Sequence, residues 1–344
     1  MRNRAETYQT AALVLCISVA IGIAVNLHFR SLSVNTREWA DTYYTWVEGK
    51  RILSGENPYA RVLAGDMREN DKYATYFPLL YLLSAASQWA GLRDYDSWIF
   101  FWRQVFFLFT LAVGFLIFFV LYGRRGAVLA LLAFLIWLFN RWTLTSLMAA
   151  HPESLPIFLL LLSVLVFPKR PRTALLLFGV SLALKQIAIF AVPLYVIWIW
   201  HDSKGNLRRA ISGAAMLAAT PFLLSLPFLI WNAEAYLKSI CFSATRYPLV
   251  YGGANSVDIL LGIQGPAARL PMLALMGLVY LAAWRRRVGP FTGVFLVQFL
   301  FAAMNTVHFP QYMCWMLAPL LAALSEDFTW LPENGGRRLL RSQK

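Results

Sequence analysis

Charge is what this chain of 344 residues has least of. Asp, Glu, Lys and Arg make up 14% of it, against 59% hydrophobic residues and a mean hydropathy of +0.56. A soluble domain carries roughly 25% charged residues, so the shortfall excludes a water-soluble globular domain and predicts an integral membrane protein. The same composition excludes a disordered chain and a collagen-like fibre. Cysteine is also scarce. The three present, Cys16, Cys241 and Cys314, each lie in or beside an apolar stretch, which excludes a disulfide-built secreted scaffold. No Gly-x-Gly-x-x-Gly, Walker-type phosphate loop or nucleophile-elbow serine occurs, so a nucleotide-driven pump and a serine hydrolase have no support. The four histidines, His28, His151, His201 and His308, lack close ligand spacing, and no metal centre is predicted from them.

Acids are the rarer charge, 17 against 31 Lys and Arg, for a net +14. In a soluble protein that excess would raise the question of nucleic acid. In a membrane chain it asks which side of the bilayer the positive residues occupy, and no nucleic-acid partner is predicted. After Arg2 and Arg4, residues 11–29 form a first apolar run long enough to cross a bilayer, which reads as a start-transfer anchor rather than a cleaved signal peptide because further apolar runs follow. Residues 30–97 are the one long stretch of mixed polarity. Further candidate spans fall at about 98–122, 127–145, 155–168, 173–188, 189–201, 210–231, 267–284, 290–306 and 312–327. Arg124-Arg125, Lys169-Arg170-Arg172, Lys204-Arg208-Arg209 and Arg285-Arg286-Arg287 stand in alternate short connections. With Arg2, Arg4 and the tail residues Arg337, Arg338, Arg341 and Lys344, they place more than half of the 31 positive residues on one side. The expectation is a multi-pass cell-membrane protein of about ten spans with both termini cytoplasmic. Residues 78–91 are apolar as well, but counting them as a span breaks the alternation, so they read as a helix at the outer interface.

This topology sends the 30–97 loop, the Asn140–Ser154 junction, the span end with Lys185, the 232–258 loop and His308–Tyr312 to the outer face, and any chemistry with them. Asp41 opens a helix expected to run to Leu53, where an acid also suits the positive end of the helix dipole. Glu38, three residues earlier, is expected on the same helical face, and two such carboxylates would also suit a divalent cation. Gly55-Glu56-Asn57-Pro58-Tyr59 then ends the helix, and Tyr76-Phe77-Pro78-Leu79 opens the next one.

This first-loop pattern resembles the GT-C glycosyltransferases, and most closely the polyprenol-phosphate-mannose-dependent transferases of glycosyltransferase family 87. The resemblance extends to Ala183-Leu184-Lys185-Gln186 and to His308-Phe309-Pro310-Gln311-Tyr312-Met313-Cys314-Trp315 with Pro319, and so covers most of the chain. It implies an all-α polytopic fold of GT-C type, one domain over 1–344, whose 30–97 loop is extracytoplasmic, catalytic and carries interfacial helices. It also implies inverting transfer of a hexose, mannose first, from a polyprenyl-phosphate sugar to a hydroxyl of a glycolipid or cell-envelope glycan.

That chemistry has two needs. The acceptor hydroxyl is a poor nucleophile and requires a carboxylate to take its proton. The leaving lipid phosphate is already a stable anion and requires positive charge rather than a general acid. Asp41 is the expected base, with Glu38, His151 and Glu153 as a second acid or positioning groups, although Pro152-Glu153 also reads as an ordinary helix start. Lys185 interrupts an apolar stretch, which marks it for phosphate binding or for snorkelling to the interface. Arg37, Arg246 and Arg269 are further phosphate candidates through bidentate guanidinium contacts, or simple interfacial anchors. His308 reads as a helix-end hydrogen-bonding residue or, through the resemblance, a phosphate or sugar contact. Tyr44, Tyr59, Tyr76, Gln311 and Tyr312 are the expected sugar or acceptor contacts, yet Tyr and Trp also gather at interfaces for their own reasons. No cofactor is expected. The alternative from another class is a non-catalytic transporter or flippase of a lipid-linked sugar, which would share the basic groove but have no use for a carboxylate at Asp41 and would often show internal repeats, which this chain lacks.

Overall fold

The computed structural model describes residues 2–65, 73–241, 249–250, 256–263, 265–305 and 307–326. Within them the chain is helical apart from one two-residue parallel pair, Leu249–Val250 with Val307–His308. Helix α1 covers Arg2–Ser31, α2 Asp41–Leu53, α3 Leu79–Trp89, α4 Tyr95–Arg125, α5 Ala127–Phe139, α6 Arg141–Met148 and α7 Ser154–Val166. Then come α8 at Pro171–Leu184, α9 at Val192–Asp202, α10 at Leu207–Ile240, α11 at Leu270–Trp284, α12 at Pro290–Met304 and α13 at Tyr312–Ala323.

Four segments are long and apolar enough to cross a membrane: Thr7–Ser31, Tyr95–Arg125, Leu207–Ile240 and Ala267–Trp284. The α5 and α6 pair, bent by 43°, makes a fifth if counted as one span. Asn140 causes that bend. Its carboxamide oxygen accepts from the N–H groups of Trp142 and Thr143 to start α6, while its Nδ2 donates back to the Ile136 and Trp137 carbonyls that end α5. The remaining apolar helices are shorter, with 13 residues in α7, 14 in α8, 15 in α12 and 12 in α13. The expected span over 173–188 stops at Leu184. Lys185 is extended (φ −153°, ψ 123°), and a 3-10 segment, Gln186–Ala191, turns the chain into α9. A helix does form within the expected 78–91 stretch, as α3.

Apolar surface is spent in an unusual way for a chain in water. The apolar stretch of α1 has a mean hydropathy of 2.3 yet only 11% of it is buried, and in α10 the corresponding share is 22%. Val14, Leu15, Ile230 and Phe222 are all more than half exposed. Apolar surface left open on that scale is what a lipid phase covers.

Helix direction alternates, which sorts the connections between two ends. At one end the Arg125 guanidinium, finishing α4, donates to the carbonyls of Leu324 and Glu326 just past α13. The Glu326 carboxylate accepts from the Phe291 and Thr292 N–H groups that open α12. His201 near the end of α9 meets the Trp284 carbonyl at the end of α11. The basic connections 124–125, 169–172, 204–209 and 285–287 therefore gather at a single end. At the other end stand α2, α3, the start of α7 and the 3-10 turn after Lys185.

Close backbone approach fixes α8 against α10. A Cβ on Gly179 would lie 2.8 Å from the Leu217 carbonyl oxygen, which is backbone and cannot swing aside. Gly179→Ala is predicted to cost about 1–3 kcal/mol by overpacking, whereas Gly22→Ala, with nothing within 4 Å of its added methyl, should be neutral. Thermal unfolding of the detergent-solubilised variants checks both.

Candidate functional site

Three segments far apart in sequence meet at the second end of the bundle. Glu153 immediately precedes α7, Lys185 follows α8, and Trp315 lies in the first turn of α13. The Lys185 ammonium donates to Glu153 Oε1, and the Trp315 indole N–H donates to Glu153 Oε2. Lys185 and Glu153 are 2% and 1% exposed, so this is a desolvated ion pair with both carboxylate oxygens engaged. The Tyr76 ring covers the ammonium, its centroid 4.9 Å from Nζ. Next to it the Gln186 carboxamide donates to the Thr75 carbonyl, fastening the 73–78 segment to the 3-10 turn.

Tyr76 connects this buried group to Asp41. Its hydroxyl donates to Asp41 Oδ2 at 2.8 Å. Burial, and then the negative charge of Asp41, hold the Tyr76 phenol well above its ordinary pKa. It therefore stays protonated, a permanent donor that keeps the Asp41 carboxylate oriented. Asp41 itself is only partly buried, at the first position of α2.

Asp41, Thr45 and Glu48 follow one another at helical spacing along the buried face of α2. Sequence reasoning passed over Glu48, although its place seven residues after Asp41 was the signal. It is 1% exposed, with Arg61 Nη1 at 3.2 Å from Oε1 and Arg51 Nε at 3.6 Å from Oε2. Burial pushes its carboxyl up to about 7, and the two arginines pull the other way with less effect.

The other expected residues are dispersed. Glu38 does not share a helical face with Asp41: it lies before α2 with φ +66°, exposed, and its carbonyl accepts from the Tyr44 hydroxyl at 2.7 Å. That left-handed residue ends the approach to the helix, so three-residue spacing carries no facial meaning there. Tyr59 is fully buried, rings of Tyr81, Phe228 and Tyr236 around it, and its hydroxyl donates to the Tyr76 carbonyl. It braces Tyr76 from below. Arg37 pairs with Asp96 at 2.8 Å, in the open, and stacks over Tyr95. Gln311 is buried just before α13, and Tyr312, partly buried, acts electrostatically on Tyr76. His151 is partly buried two residues before Glu153. Arg269 ends a 3-10 turn ahead of α11, and the backbone of His308 pairs with Val250. Arg246 and the basic tail lie outside the described residues. No group of three His, Cys, Asp or Glu among the described residues is placed to hold a metal ion.

A second residue that sequence reasoning missed is Arg103, buried in the middle of the apolar residues of α4. Its guanidinium donates to the carbonyls of Ser31, Val34 and Met148, which lie at or just past the end of α1 and at the end of α6. It also borders a cavity of about 370 Å³ between the segment after α1 and the start of α4, with Val34, Thr36, Arg37, Tyr95 and Asp96. A single arginine in an apolar run was the available signal.

No protein-family model matches this chain, and no curated protein matches its sequence.

Two measurements probe the site. Glu153→Gln strands a buried ammonium and should cost about 3–5 kcal/mol, much of which a Glu153→Gln, Lys185→Met pair returns; unfolding of the single and double variants decides it. For Glu48 the folded-state value lies above the ordinary 4.5, so the folded protein holds the proton more tightly. Stability then falls as pH rises from about 4.5 to about 7 and levels off above, a component of about 3 kcal/mol. Unfolding measured at pH 5 and pH 8 should show this loss in the native chain and lack it in Glu48→Gln.

Proposed function

We propose that this chain is an integral membrane glycosyltransferase of the GT-C type, which moves a hexose, mannose by resemblance, from a polyprenyl-phosphate donor to a hydroxyl of a glycolipid or cell-envelope glycan. The observation that carries the reading is the meeting of three motifs. The first-loop Tyr76 and Asp41, the Lys185-Gln186 turn and the Trp315 segment are the stretches on which the resemblance rests, and they form one contiguous hydrogen-bonded group. In this reading the shorter apolar helices also cross the bilayer, for ten passes in all. The basic end faces the cytoplasm and Asp41 faces outward.

Asp41 takes the proton of the acceptor hydroxyl as that oxygen attacks the anomeric carbon, and the bond to the lipid phosphate breaks on the opposite side, inverting the centre. Tyr76 aims the carboxylate through its neutral phenol. Lys185 already carries the Glu153 charge, so its part is to hold Tyr76 in place, and the departing phosphate falls to Arg246, Arg269 and His308. Arg37 and Tyr44 border the acceptor side, with Gln311 and Tyr312 toward the donor sugar.

Asp41→Asn is expected to lower transfer by about 10²–10⁴-fold while leaving yield and donor binding near native. Purified protein given radiolabelled polyprenyl-phosphate sugars and a membrane lipid extract, with labelled product measured, makes the test. Near-native turnover in Asp41→Asn removes the base assignment. Donor binding without any transfer by the native chain points to a transporter instead.

A further inference from the structure

At the end of the bundle away from Asp41, a cavity of about 530 Å³ opens between the α7–α8 turn, the end of α9 and the start of α10. Along α8 it lies about 20 Å from Lys185, the length of its 14 residues. Its walls are of two kinds. Phe167, Leu175, Ile199 and Met216 supply apolar surface, and Arg172, Arg208 and Arg209 supply three guanidinium groups against the single carboxylate of Asp202.

The placing of those arginines runs against helix electrostatics. Arg172 stands in the first turn of α8, and Arg208 and Arg209 in the first turn of α10, where the helix dipole is positive and acids are favoured. Neither helix has an acid in its first turn. Among the described residues none of the three arginines forms an ion pair, although Asp202 lines the same cavity. Three exposed, unneutralised cations around a half-open cleft, reinforced by two helix starts, form a site of positive potential that an anion of matching size would relieve. Guanidinium groups grip phosphate oxygens in pairs.

We propose that this cavity binds the phosphate of an anionic membrane phospholipid. The apolar walls argue for a lipid rather than a soluble phosphate, since Leu175 and Met216 have no role toward a small hydrated anion. So does the surface into which the cavity leads: Leu207 and Ile211, adjacent to its lining residues on α10, are 64% and 60% exposed. The headgroup sits among the arginines and the acyl chains lie along α10. Basic pockets between membrane helices are suited to this class of ligand. The site is independent of the transferase reading, because it shares no residue with Asp41, Tyr76, Lys185 or Glu153.

The test uses the full chain purified in neutral detergent, with binding read by native mass spectrometry. The probes are phosphatidylglycerol, phosphatidylcholine and glycerol 3-phosphate, the last being a headgroup fragment without tails. Phosphatidylglycerol should bind at least about ten-fold more tightly than either of the others. The triple variant Arg172→Gln, Arg208→Gln, Arg209→Gln should lose that preference. So should Ser212→Trp, which fills the cavity without altering charge and keeps the test decisive if the triple variant does not fold. Equal binding of the two lipids overturns the proposal, as does a preference that survives either variant, the second outcome meaning attraction to surface charge in general. Glycerol 3-phosphate binding as tightly as the lipid overturns it in favour of a soluble phosphate ligand.

Discussion

The buried ion pair between Lys185 and Glu153 is the constraint on which the rest of the Asp41 end depends. Removing two charges from water is expensive, and their attraction returns the cost only when geometry is good and the remaining hydrogen-bonding capacity is used. Here the second carboxylate oxygen goes to the Trp315 indole, so the start of α7, the end of α8 and the first turn of α13 are fixed to one point. Such a pair adds little net stability, but each partner makes the other's displacement costly. Its value is positional. Tyr76 lies over the ammonium and reaches from it to Asp41, so the partly exposed carboxylate inherits its place from a group that never meets solvent.

The two ends of the molecule handle charge differently. At the Asp41 end, Glu153 and Lys185 cancel, Glu48 is set between two arginines, and Arg37 is opposed by Asp96. At the other end arginines and lysines stand in short turns with few acids among them. Among the described residues the positive excess is thus concentrated at that end rather than spread. A field of that asymmetry orients a helical bundle in a membrane and also creates pockets of positive potential wherever helix starts coincide with arginines.

Much of this was legible in the sequence, for identifiable reasons. Membrane class follows from composition, because nothing else tolerates so little charge. Asp41 at a helix start and the presence of α3 follow from punctuation by Gly, Asn and Pro, which act locally. Pairing was not legible. Glu153 and Lys185 are 32 positions apart and meet only because α7 and α8 fold back on one another. The facial relation of Glu38 to Asp41 fails at a single left-handed residue, a backbone choice that glutamate does not advertise. Tyr59 reads in the sequence as a sugar or acceptor contact or an interfacial aromatic, and only tertiary packing shows that three rings enclose it. Arg103 escaped because its partners are carbonyls at helix ends, which every sequence has.

That arginine has a mechanical effect on α1. Polar contacts to α4 hold the last turn of α1: Arg103 takes the Ser31 and Val34 carbonyls, and His28 meets Gln104 at 2.8 Å. The rest of α1 is mostly uncovered apolar surface. A rod of 30 residues, about 45 Å long, is thereby held by polar contacts at its tip and along its length by one apolar seam of Leu13, Ile17, Ala20, Ile21, Ala24 and Val25. In bilayers of different thickness such a rod changes tilt at small cost. A few degrees of tilt about that tip displace the far end by several ångströms and the tip itself far less.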